Sequence, residues 1–173
     1  MMANKKRGNR LDTQDFRDVL AQFATGVAVV VTRTAEGTLH GMTVNSFASV
    51  SLEPPLVLFC ADNKSETIRA LRSCRRFTVS MLHEEQEDLS RRFAMLGPQT
   101  DAFAAARFVG GRGGLPYLAD SLAYVDARVE DLIPAGDHHI VLGRVEDLGV
   151  LAPGQPLLFY ASQYYRPVTL PPD

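Results

Sequence analysis

Apolar residues fall in short blocks whose spacing switches between helical and alternating periods. Phe16, Val19, Leu20 and Phe23 recur at helical spacing behind Asp12, a good N-cap, and Gly26 closes that stretch. Val27 to Thr32 is a β-branched run that predicts a buried strand, and Thr38 to Val44 returns as its partner across the Ala35-Glu36-Gly37 turn. Ser46 to Leu52 alternates small polar and apolar residues until Glu53-Pro54-Pro55 breaks it, and Leu56 to Ala61 is another strand-length run. Asn63 followed by Glu66 predicts a capping box, with Ile68 and Leu71 on the buried face of the helix it opens. Phe77 to Leu82 alternates as a strand. Glu84 to Leu96 predicts a second helix with Leu89, Phe93 and Leu96 inward. A glycine-rich loop spans Gly110 to Pro116. Strands are expected at Leu122 to Leu132 and His138 to Leu148, joined through Ile133-Pro134-Ala135-Gly136-Asp137, and a last short one at Leu157 to Tyr160.

Many short strands with inserted rather than alternating helices predict a mainly β fold, a closed antiparallel barrel with a few helices packed outside. The pattern makes one domain over residues 12–166. Residues 1–11 form a basic, irregular N-terminus and residues 167–173 a proline-rich tail. The chain length of 173 residues suits a single core. A net charge of -2 argues against a polyanion binder, so nucleic acid is not an expected partner. No apolar run is long enough to span a bilayer, and no apolar stretch follows the basic residues at the start, so neither a membrane nor a secretory signal is expected. Cys60 and Cys74 form no Cys-x-x-Cys, which fits a reducing cytoplasm.

Several chemistries are disfavoured. Gly111-Arg112-Gly113-Gly114 lacks the third glycine of a dinucleotide fingerprint and runs toward Pro116, not into a helix. His138 and His139 are neighbours on a strand and face opposite sides, so they cannot share a metal, and His40 and His83 have no ligand spacing; no metal site is expected. No nucleophile elbow is present.

Three segments change this picture when taken together. They are Gly41-Met42-Thr43-Val44-Asn45-Ser46-Phe47-Ala48-Ser49-Val50-Ser51-Leu52-Glu53-Pro54-Pro55, Asn63-Lys64-Ser65-Glu66-Thr67, and Gly136-Asp137-His138-His139-Ile140-Val141-Leu142-Gly143-Arg144-Val145. In order and spacing they resemble the short-chain flavin reductases, the reductase components of two-component flavin monooxygenases. The likeness runs from about Phe16 to Tyr164. It implies an FMN-binding split barrel that works as a homodimer, with flavin in a groove near the subunit interface. It implies NADH or NADPH as hydride donor, FMN or FAD as acceptor, and a separate monooxygenase that receives the reduced flavin.

Carried onto this chain, the resemblance places flavin against Thr43, Val44, Asn45, Ser46, Ser49, Ser51, Ala61, Lys64, Ser65, Thr67 and Phe93. It places nicotinamide against His138 and Tyr164. The residues themselves allow this. Short hydroxyls and an amide suit the polar edge of a flavin, and Thr43, Asn45, Phe47, Ser49 and Ser51 share one strand face if no bulge intervenes. An ordinary half-exposed polar strand fits the same pattern. Ser65 and Thr67 open a helix whose free N–H groups attract an anion, with Lys64 as a point charge; alternatively Asn63 and Ser65 only cap it. Phe93, in Arg92-Phe93-Ala94, serves the core, the flavin or both. No side-chain nucleophile or acid–base is required, because a positioned hydride donor suffices. Two other activities stay open on the same fold: an FMN-dependent oxidase, and a flavin-binding sensor or carrier without turnover.

Overall fold

The computed structural model describes residues 11–95, 97 and 99–168. The basic run before Leu11, the end of the tail and Leu96, expected to face inward, lie outside the described residues. In chain order the elements are α1 (Thr13–Leu20), β1 (Thr25–Gly26), β2 (Ala28–Arg33), β3 (Leu39–Val44), β4 (Ala48–Leu52), β5 (Pro55–Asp62), α2 (Glu66–Cys74) and β6 (Arg76–Met81). Then follow α3 (Glu87–Ala94), α4 (Thr100–Ala104), β7 (Phe108–Gly110), β8 (Pro116–Leu118), β9 (Ala123–Ala135), β10 (His138–Val150), β11 (Leu158–Tyr160) and β12 (Gln163–Tyr165).

Seven strands form one antiparallel sheet in the order β3-β2-β6-β9-β10-β5-β4. The alternation read from the sequence sets its two faces. Ala28, Val30, Val44, Phe59, Phe77 and Val141 point to one side and build the main core, with Phe59 and Phe77 meeting edge to face at 5.1 Å. Val27, Val29 and Val31 point to the other side, where Leu82, Leu89, Phe93, Leu118 and Leu157 cover them.

The expected closed barrel is not formed by the strand ladders. β3 and β4 are the two ends of the sheet, and among the described residues no ladder joins them. The outer edge of β3 is occupied differently. The Gln99 carboxamide accepts from Gly41 N at 2.8 Å and donates to Gly41 O at 2.7 Å, satisfying groups that a neighbouring strand would otherwise take.

Two local expectations are also corrected. The cap of α2 is Ser65, whose hydroxyl accepts from Ile68 N at 3.2 Å, while Glu66 pairs with Arg69 and not with a capping residue. Asn63 is held elsewhere, by the β9–β10 turn. The shared face proposed for Thr43 through Ser51 is interrupted, because β3 ends at Val44 and β4 carries a register shift between Ser49 and Ser51. The helix behind Asp12 does form, and Asp12 accepts from Gln14 N at 2.8 Å. Its apolar side chains have no cover: Phe16, Val19, Leu20 and Phe23 are all more than half exposed.

The glycine-rich loop joins β7 to β8 and packs on the outer face of the sheet through polar side chains. Thr78 donates to Pro116 O at 2.6 Å, Ser80 accepts from Leu118 N at 3.0 Å, and fully buried Asp126 accepts from Gly113 N at 2.6 Å.

Candidate functional site

The free edge of β3 forms the wall of a groove. In the β2–β3 hairpin, residue pairs alternate between hydrogen-bonded and non-bonded positions. Gly41, opposite Val31, turns its N–H and C=O outward to Gln99, so Thr43, opposite Val29 and two residues on, presents its own N–H and C=O to the same edge. The Thr43 hydroxyl is already used, donating to Ser90 O of α3 at 2.6 Å. Phe93 packs close against Gly41 with its Cδ1–Cε1 edge nearest, and its ring meets Phe103 at 5.0 Å and Phe108 at 6.5 Å in edge-to-face contacts. Only glycine at position 41 admits this ring.

Two cavities open along this wall. One, of about 220 Å³, is lined by Thr43, Asp62, Ser65, Thr67, Phe93 and Gln99 among others. The next, of about 180 Å³, is lined by Val27, Thr43, Asn45, Ala94, Phe159 and Tyr164. Thr43 and Ala94 border both, so the two cavities lie side by side along the β3 edge. Asn45 also borders a larger cavity of about 740 Å³, together with Ser46, Phe47 and the α1-side residues Leu20 and Phe23.

The structure therefore brings Thr43, Asn45, Ser65, Thr67, Phe93 and Tyr164 alongside these cavities, Thr67 and Phe93 as buried parts of the wall. Tyr164 is fixed there by its hydroxyl to Ser90 Oγ at 2.8 Å and by the Arg91 guanidinium 4.8 Å above its ring. Other residues expected at the site lie differently. Val44 and Ala61 are buried in the core and can offer a ligand no exposed side chain. Ser46 Oγ accepts from Cys60 N at 2.9 Å, stitching the strand break to β5. Ser49 and Ser51 sit on β4, away from the residues that line the groove.

At the α2 end, Ser65 caps Ile68 N, and its hydroxyl donates to Asp62 O at 2.8 Å. By helix geometry the amides of Glu66 and Thr67 remain available to an anion. Glu66 itself works against one, with its charge drawn off toward Arg69. Lys64 is exposed beside this turn, and its backbone N–H donates to Asp62 Oδ1 at 2.7 Å.

His138 opens β10 directly across the ladder from Asp62, a groove residue. It is half exposed, and its Nδ1 lies 2.8 Å from Asp137 Oδ1. That hydrogen bond, followed by the charge of His138, holds the Asp137 carboxyl below its ordinary range. His139 faces the other way and is buried, as strand alternation requires.

Gln99, Ser90 and Gly41 are groove-forming residues that the sequence pattern does not mark. Gln99 lies in a stretch without periodicity, and Ser90 acts through its backbone carbonyl toward Thr43 and its hydroxyl toward Tyr164, neither of which a helical pattern marks. Gly41 did carry a signal, a glycine inside a strand, which often marks a close approach.

A polar strand edge, an aromatic wall and a helix N-terminus in one groove fit a long ligand with a planar ring and an anionic end. Residues 20–167 match the family described as flavin reductase like domain. The chain belongs to that family. A probable flavin reductase of Rhizobium meliloti is 43% identical over 134 residues, which is 78% of this chain and 42% of that protein, so this chain spans less than half of that relative's length. The reductase subunit HsaB of a flavin-dependent monooxygenase from Rhodococcus jostii is 40% identical over 154 residues, 89% of this chain and 77% of the relative. Among solved structures, NADH:FAD oxidoreductase SgcE6 of Streptomyces globisporus, in complex with NAD and FAD fragments, superposes with a TM-score of 0.84 at 33% identity, over 93% of this chain and 98% of the other. For this flavin reductase-like chain, the groove beside β3 is the natural place to seek the flavin.

Proposed function

We propose that this chain is an NAD(P)H-dependent flavin reductase whose reduced flavin, FMN or FAD, leaves to serve a separate monooxygenase. The observation that carries the reading is the pair of adjacent cavities along which the free edge of Thr43, Phe93 and the α2 N-terminus are brought together. When bound, the two cofactors would supply the redox chemistry, hydride transfer from nicotinamide to flavin.

The chain's own residues bind and orient. Thr43 N–H and C=O pair with the polar edge of the ring, and Asn45 adds a donor and an acceptor where two cavities meet. Phe93 and Ala94 give the ring an apolar seat. Ser65, Thr67 and Lys64 receive the phosphate end. His138 and Tyr164 would hold the nicotinamide beside the flavin, a positioning role that hydride transfer depends on. No residue has to act as nucleophile.

The family's split barrel and homodimer belong to this proposal. One core shared by residues of β3 and β5, near opposite ends of the sheet, supports a sheet that curls on itself. The exposed face of α1 and the large cavity bordered by Leu20 and Phe23 support a second copy seated there, close to Asn45. Cys60 and Cys74 are unpaired, in keeping with the cytoplasm.

Flavin titration tests the site. Asn45→Ala combined with Ser46→Ala should weaken binding of FMN and FAD while the melting curve stays cooperative. Unchanged affinity would move the flavin elsewhere.

A further inference from the structure

Resting on the reading of His138 as a nicotinamide contact, we propose that buried His139, with Asn63 and Arg72, is a positioning unit that docks the His138 turn against the loop before α2. Asn63 spans the two segments. Its backbone N–H donates to Asp137 O at 3.0 Å, and its Nδ2 donates to Gly136 O at 3.2 Å. The second bond fixes the carboxamide, because a carbonyl oxygen accepts only from the NH₂ end. Asn63 Oδ1 is thereby turned to His139 Nδ1, 2.5 Å away.

The other side of the ring is fixed as well. Arg72 Nη2 lies 3.3 Å from His139 Nε2, and a guanidinium can only donate. His139 must therefore carry its proton on Nδ1 and leave Nε2 as an acceptor. Two independent partners require one neutral tautomer. The ring is 8% exposed, and its strand neighbours are Ala61 and Pro134.

The consequence concerns the reaction. Gly136 and Asp137 form a two-residue hairpin connection in which Gly136 has a φ of 66° and which carries His138 at its exit. By itself such a turn is a mobile tip. Asn63 ties it to the same loop that positions Ser65 at the groove. His139 thus sets the distance between the nicotinamide side and the flavin side of the site without touching either ligand.

The test combines kinetics with a spectroscopic signature. In Asn63→Ala and His139→Leu, KM for NADH should rise by about tenfold, the loss of one or two partly buried hydrogen bonds, while kcat and flavin affinity stay within about twofold. His139→Gln keeps one donor and one acceptor on a neutral side chain and should recover most of the wild-type KM. Long-range ¹H–¹⁵N correlation spectra of the wild-type protein at neutral pH should show His139 as the Nδ1–H tautomer. An Nε2–H or charged ring would overturn the proposal, as would an unchanged KM in both Asn63→Ala and His139→Leu. The Asn63 variant and the spectrum decide the matter even where His139→Leu fails to fold. His138→Ala separates the two readings. If it raises KM and Asn63→Ala does not, the positioning unit falls and the nicotinamide contact stands. If it leaves KM unchanged, the contact itself falls.

Discussion

Replacing Gly41 by alanine tests whether β3 and α3 pack as described. A Cβ at position 41 would lie 2.5 Å from Phe93 Cε1 and closer still to Cδ1. Phe93 is 1% exposed and pinned by Phe103 and Phe108, so the ring cannot rotate aside. Overpacking of this kind costs about 2 kcal/mol. Backbone entropy acts in the opposite direction, since Gly41 does not need a positive φ and alanine would stabilise an unstrained position by about 0.7 kcal/mol. The steric effect wins, leaving a net loss of about 1.3 kcal/mol, or a Tm lower by roughly 4 °C for a chain of this size. Without the clash the sign reverses, to a rise of about 2 °C. Thermal melts of Gly41→Ala, Phe93→Leu and the double variant give the answer. Because the added methyl fills the space the smaller side chain vacates, the double variant should lose less than the two single losses summed, by about 1 kcal/mol. A wild-type or higher Tm in Gly41→Ala, or strictly additive losses, would refute the packing on which the groove depends.

Ser65→Ala removes the cap of α2, and stability should fall by about 1 kcal/mol in denaturant melts. Affinity for FMN should drop more than affinity for riboflavin, which lacks the phosphate; equal losses would take the phosphate away from α2. Phe16→Glu with Val19→Glu places charge on the uncovered face of α1; in light scattering the wild type should run as a dimer and the double variant as a monomer, and a monomeric wild type would remove the proposed second copy. Tyr124, hydrogen-bonded to Asp147 at 2.9 Å and stacked on Tyr117, has its phenol pushed up to about 12 from 10.0, by that hydrogen bond first and then by burial. Because the folded state holds this proton more tightly, its contribution is fully present below pH 10 and is lost as pH rises toward 12. Asp147→Asn should bring the phenolate absorbance titration back toward 10.

The element plan was legible because alternation dominates this chain. Val27 to Thr32 and Phe77 to Leu82 read as strands because their alternating sides feed two different cores. The Asp12 cap was equally plain. The cap of α2 was not, since Asn63, Ser65 and Glu66 are all competent capping residues. Tertiary bonds to Gly136 and His139 decide that Asn63 is taken elsewhere. Closure of the sheet was not legible for a related reason. Strand periodicity says nothing of what lies at an edge, and the side chain of Gln99, in an aperiodic stretch 58 residues away, occupies that of β3. Of the groove, Thr43, Asn45, Ser65, Thr67, Phe93 and Tyr164 were named from motif context, while Ser90, whose carbonyl meets Thr43 and whose hydroxyl meets Tyr164, sits in a helix with no motif to mark it.

Anaerobic mixing of catalytic protein with excess NADH or NADPH and excess free FMN or FAD, followed by the bleaching of flavin absorbance, tests the central claim most directly. Many flavins should be reduced per subunit, at a rate proportional to protein. Flavin reduced only once per subunit, or bound without any nicotinamide oxidation, would contradict it and point to a tightly held cofactor or a carrier.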